Sequence, residues 1–140
     1  MRTLRCSRGV LGVILSLLFS LGGLAMASAP ASAGTKWKVA ASATAKGLDK
    51  IAGTNTEILK PVKIEVTVTA ASFVQWTIYC HKGGKLIMLP SGSKTLTAAG
   101  SVQLKFPKSA SDCEPSASAE NSGTGSIKLS IEFSGGSVQK

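Results

Sequence analysis

The chain has 140 residues, 44% of them hydrophobic, with 16 basic and seven acidic side chains and a formal net charge of +9 at pH 7. That length leaves room for one domain of about 100 residues around a single core and argues against a second. All three arginines, Arg2, Arg5 and Arg8, fall at the start, so beyond them the basic character is carried by lysine alone. Lysine lacks the planar fork that pairs with phosphate or guanine, which argues against a specific nucleic-acid site.

The three arginines precede an apolar run from Val10 to Leu24, and Ala31-Ser32-Ala33 supplies the small-residue pattern that a signal peptidase needs. Residues 1–33 are therefore predicted to be a secretory signal cleaved before Gly34. The apolar run, broken by Gly12, Gly22 and Gly23, is shorter than the roughly 20 residues that span a bilayer, so no membrane span is expected after cleavage. The expected location is extracellular or in the cell envelope. Residues 34–140 keep 13 lysines against seven acids, a net charge of +6. Their dispersal predicts a solvated surface, or loose adhesion to an anionic cell-envelope polymer.

Residues 34–59 read as a first strand and a long loop, and residues 60–140 as the main sandwich strands with a short C-terminal tail. In the first strand Trp37, Val39, Ala41, Ala43 and Ala45 alternate with polar neighbours. Between Lys46 and Leu59 no period holds, and Gly47, Gly53 and Asn55 suggest a loop. Val62, Ile64, Val66, Val68 and Ala70 then alternate with Lys63, Glu65, Thr67 and Thr69, a strand with one buried face. The next strand places Val74, Trp76, Ile78 and Cys80 on one side and Phe73, Gln75, Thr77, Tyr79 and His81 on the other. Gly83-Gly84 predicts a tight hairpin turn, and Pro90 ends the short apolar run that follows. After an ill-defined stretch between Gly92 and Gly100 come an inward triplet of Val102, Leu104 and Phe106 and a face formed by Cys113, Pro115, Ala117 and Ala119. A turn-rich segment over 121–125 leads to a last strand that buries Ile127, Leu129, Ile131 and Phe133 and exposes Lys128, Ser130 and Glu132.

Six to eight short strands without an amphipathic helix predict an all-β fold, an antiparallel β-sandwich, with a small barrel as the alternative. Cys6 falls in the predicted signal, so in an oxidising compartment Cys80 and Cys113 are the only pair left and are predicted to form a disulfide tying inward faces together. With Trp76 beside Cys80 and a second cysteine near the start of the penultimate strand, residues 60–133 resemble an immunoglobulin-type sandwich in architecture. Trp76 precedes the first cysteine, and Ser111 stands two residues before Cys113, where those domains carry a tyrosine. The resemblance implies an immunoglobulin-like arrangement and no family membership.

Chemistry is sparse. His81 is the single histidine and faces away from Cys80, whose sulfur the disulfide consumes, so it is expected to be a solvated strand-end residue and no catalytic residue is predicted. Asp112 and Glu114 flank Cys113 and are read as a solvated strand edge; neither a metal nor a cofactor is expected, because convergent ligands are lacking. Phe73, Gln75, Tyr79 and His81 form a possible binding surface for a sugar or a partner protein. The competing expectation is that a second sheet or the 46–59 loop covers that face. The sequence thus predicts a secreted, non-enzymatic binding or envelope-associated module. The alternatives are a secreted inhibitor or antimicrobial protein, presenting Lys82–Lys85 or the 46–59 loop, and a small hydrolase.

Overall fold

The computed structural model describes residues 36–139; the predicted signal, residues 1–33, lies outside the described residues. Eleven strands follow one another: β1 (Lys38–Lys46), β2 (Ile51–Asn55), β3 (Ile58–Leu59), β4 (Lys63–Val68), β5 (Ser72–Lys82), β6 (Lys85–Met88), β7 (Gly92–Leu96), β8 (Gly100–Leu104), β9 (Asp112–Asn121), β10 (Ser126–Ser134) and β11 (Ser137–Val138). They make two sheets with antiparallel pairing throughout. The smaller has the order β1-β10-β4-β8. In the larger, β9 and β5 pair at the centre, β2 and β3 share the far side of β9, and β7 and β6 share the far side of β5. β11 extends the sheet beyond β3.

The two inner faces make a β-sandwich core of unequal partners. The smaller sheet contributes large aliphatic and aromatic side chains, among them Ile64, Val66, Leu129, Ile131 and Phe133, and the larger contributes Val74 and Ile78 beside small residues on β9, Ala117 and Ala119. Burying each large side chain stabilises the fold by roughly 1.5–3 kcal/mol. The crossover from β9 to β10 is held by Asn121, whose buried side-chain amide donates to the Gly125 carbonyl at 2.7 Å while its Oδ1 accepts from the Gly123 N–H at 3.0 Å. Asn is suited to this because its side chain can satisfy backbone groups within a turn.

The alternation of β4, β5, β9 and β10 is as the sequence predicts, and so is the hairpin between β5 and β6, where Gly83 and Gly84 have φ of 57° and 75°. Several expectations are corrected. The 46–59 segment is not a loop: β2 and β3 lie within it, docked on β9. Its regularity comes from its partner strand, because β2 buries only Ala52 and shows no apolar alternation of its own. The ill-defined stretch after Gly92 likewise holds β7. In β1 a register shift between Val39 and Ala41 turns Val39 outward, where it is 55% exposed. Val62 precedes β4 and is exposed, while Ser130, expected on the surface, is buried in the middle of the smaller sheet between Ser42 and Thr67.

The disulfide forms as predicted, but it does not join the two sheets. Cys80 and Cys113 sit directly opposite each other on β5 and β9, neighbours in the larger sheet, with Cα atoms 4.1 Å apart and both side chains fully buried on the inner face. Such closeness is characteristic of a cross-strand pair. An immunoglobulin domain instead places its cysteines on facing sheets.

On the outer face of the smaller sheet Glu65 stands directly opposite Glu132 across β4 and β10. Partial burial, and then the charge of Glu132, hold the Glu65 carboxyl above the usual glutamate range, with a hydrogen bond from Ser101 acting the other way. Thr67 Oγ1 donates to Glu132 Oε1 at 3.0 Å. A raised folded-state pKa favours the fold at low pH, and that contribution disappears as pH rises through the raised value. Glu65→Gln is therefore expected to stabilise the protein by about 0.5 kcal/mol at neutral pH, the size of a like-charge cross-strand pair, with the gain shrinking toward about pH 4. Urea unfolding at the two pH values checks this, and a variant no more stable than the parent at neutral pH refutes it.

Candidate functional site

The outer face of the larger sheet is built by alternation on its central strands. β5 directs Phe73, Gln75, Thr77, Tyr79 and His81 outward, as predicted, because their neighbours Val74, Ile78 and Cys80 fill the core. β9 directs Asp112, Glu114, Ser116, Ser118 and Glu120 to the same side, because Cys113, Pro115, Ala117 and Ala119 point inward. The register then forms rows across the sheet: Ile51–Glu120–Phe73–Thr95, Gly53–Ser118–Gln75–Ser93 and, one row on, Asn55–Ser116–Thr77. Beyond these lie Glu114–Tyr79–Met88 and Asp112–His81–Leu86.

The middle rows carry short side chains and the flanking ones carry aromatics, so the face is relieved into a shallow trough. One depression of about 490 Å³ is lined by Gly53, Asn55, Gln75, Thr77, Ser116 and Ser118. A second, of about 400 Å³, continues across β5 to Ser91 and Ser93. A third lies against Tyr79, Met88 and Pro90, and a fourth against Tyr79, Glu57 and Glu114. Crossing four strands, the trough is about 15 Å long, and its flanking aromatics Phe73 and Tyr79 stand roughly 20 Å apart along β5. Among the described residues nothing covers this face. The 46–59 segment, expected as a possible cover, extends the sheet sideways as β2 and β3.

The structure brings Gln75 into the trough, leaves Phe73 and Tyr79 on its flanks and sets His81 apart. His81 is not a free strand-end side chain: its Nδ1 lies 3.1 Å from Asp112 Oδ1. Ser111 Oγ donates to the same Asp112 oxygen at 3.0 Å. A serine, an aspartate and a histidine thus meet beside the disulfide, but the hydroxyl contacts the carboxylate and not the imidazole, which is not the pairing that activates a serine nucleophile. Nor are Asp112 and Glu114 on a sheet edge, since β9 is flanked on both sides. No group of three or more His, Cys, Asp or Glu side chains is placed to hold a metal among the described residues. No helix among them is long and apolar enough to cross a membrane.

Asn55, Ser116, Ser118 and Ser93 belong to the site although sequence reasoning did not select them. The polar alternation of residues 114–120 was visible, but only the pairing of β9 with β5 and β2 shows that these serines share a surface with Gln75.

No protein-family model matches the chain, and no curated protein matches it. Among solved structures, it is similar to a family two carbohydrate esterase from Cellvibrio japonicus, at 14% identity and a TM-score of 0.42 over 76% of this chain and 32% of that one. It is also similar to a structure described as concerning the promiscuous specificity of carbohydrate-binding modules from the β-sandwich superfamily, at 10% identity and a TM-score of 0.33 over 76% of this chain and 56% of that one. The chain thus spans about a third of the esterase chain and just over half of the second.

Proposed function

We propose that this is a secreted, non-enzymatic binding module, retained outside the cell or at the envelope, whose binding site is the trough on the outer face of the larger sheet. The observation that carries the reading is that trough: two open depressions that meet at Gln75 and Thr77, one of them also lined by Ser116 and Ser118, with Tyr79 in the next outward row of β5. Small floor residues admit a ligand, and exposed amide and hydroxyl groups give it direction. A buried disulfide suits an oxidising compartment.

Co-sedimentation of the oxidised protein with isolated cell envelopes, at low salt and at about 0.5 M, tests the reading, because surface charge attraction is largely screened at the higher value. Binding is expected to survive salt and to be lost in Ser116→Trp, which fills the trough, while Thr44→Ala on the other sheet leaves it unchanged. Binding that vanishes in salt and ignores Ser116→Trp would mean adhesion by the lysine surface and would sink the proposal.

A further inference from the structure

We propose that the trough binds an uncharged polysaccharide chain laid across the strands, an inference that rests on the binding reading above. Charge distribution separates this occupant from others. The protein is basic as a whole, yet no strand position on the outer face of the larger sheet is a lysine, whereas Asp112, Glu114 and Glu120 all lie there. The acidic side chains on this face disfavour an anionic polymer. Asp112 is engaged by His81 and Ser111, and Glu114 and Glu120 are separated along β9 by roughly 20 Å, so the carboxylates stand toward the ends of a neutral floor.

The floor itself offers what a hydroxyl-rich ligand needs. Gln75 and Asn55 each present a donor and an acceptor, and Ser116, Ser118 and Thr77 do the same with hydroxyls, so a ligand hydroxyl can be met in either sense. Tyr79, with Met88 and Pro90 beside it, provides an apolar plane against which the C–H face of a sugar ring can pack while the phenol remains able to hydrogen bond. A peptide is disfavoured for a different reason. Extended peptides are commonly recognised through free backbone groups at a sheet edge, but β9 and β5 are central strands whose backbone groups are engaged with neighbours on both sides. On the floor formed by β9 and β5 only side chains are available, and they are those of a polar, uncharged platform.

The test is affinity electrophoresis and calorimetry of the exported, oxidised protein with four neutral polysaccharides (xylan, galactomannan, starch and hydroxyethyl cellulose), alongside anionic polygalacturonate and cationic chitosan. At least one neutral polymer is expected to bind, with its affinity changing less than about twofold between low salt and about 0.5 M. Gln75→Ala and Tyr79→Ala should each weaken it about tenfold, a size usual for a central contact, with Tyr79→Phe retaining most of the affinity and unfolding midpoints checked for all three. Binding only to polygalacturonate or chitosan, or to none of the six, overturns the proposal. If envelope binding nonetheless resists salt and is blocked by Ser116→Trp, the trough is a binding site for another chemistry and only the polysaccharide assignment falls. If the envelope is not bound either, both readings fall.

Discussion

Replacing both Cys80 and Cys113 by alanine is expected to cost about 3–4 kcal/mol of stability, read by urea unfolding as a lower midpoint with a somewhat steeper slope, because the unfolded chain is less compact without the bridge. The two cysteines are separated by 33 residues, and in the chain-entropy account a loop of that length removes this much freedom from the unfolded chain. The native pairing does not depend on the bridge for its alignment. β5 and β9 are registered over ten residue pairs from Ser72↔Asn121 to His81↔Asp112, and their inward side chains are held by the facing sheet. The variant should therefore keep the far-ultraviolet spectrum of the parent while melting roughly 15–25 °C lower, given the entropy of unfolding of a domain of about 100 residues. Reduction of the unmodified protein should move the midpoint in the same direction. A loss below about 1 kcal/mol would show that the reduced, unfolded chain is already constrained or that the bridge is absent from the protein.

Leu129→Ala is expected to destabilise by about 3 kcal/mol, in the range usual for removing a large aliphatic side chain from a packed core. Leu129 is fully buried at the middle of β10, a central strand of the smaller sheet, directly between Ala43 on β1 and Val68 on β4. Its neighbours are held by pairing on both sides, so little collapse into the vacated space is possible and most of the cavity cost remains. Lys128→Ala, one residue away but on the solvent side, should change stability by less than about 0.5 kcal/mol. The contrast between the two, measured by urea unfolding of the oxidised proteins, is the sharper test. Equal effects would mean that β10 does not present the face assigned to it. Because a domain of this size is held by roughly 5–15 kcal/mol in all, either the disulfide or this leucine accounts for a large fraction.

Legibility differed between the long central strands and the short flanking strands of the larger sheet for a physical reason. Strands that bury a row of large side chains announce themselves: residues 63–68, 72–81 and 126–134 alternate because one side meets the core and the other meets water. β2 and β7 carry no such row. β2 has Gly53 and Asn55 outward and buries only Ala52, and β7 is mostly exposed, so each is a strand through its hydrogen bonds to a longer neighbour. The turn at Gly83-Gly84 was readable because positive φ there favours glycine. The outward displacement of Val39 was not, since a register shift is a property of two strands together.

The sequence by itself determined the disulfide partners, the all-β class, the inward faces of the central strands and the outward placement of Phe73, Gln75, Tyr79 and His81, because each follows from alternation or from there being one available cysteine pair. Tertiary structure alone decided that the bridge lies within one sheet, that Asp112 engages His81, and that the 46–59 segment widens the outer face instead of covering it. It also decided that Ser116, Ser118 and Asn55 join Gln75 in one trough. Alternation tells which way a side chain points along its own strand. Which strands stand side by side, and therefore which outward side chains share a surface, is set by long-range pairing that leaves no mark within either strand.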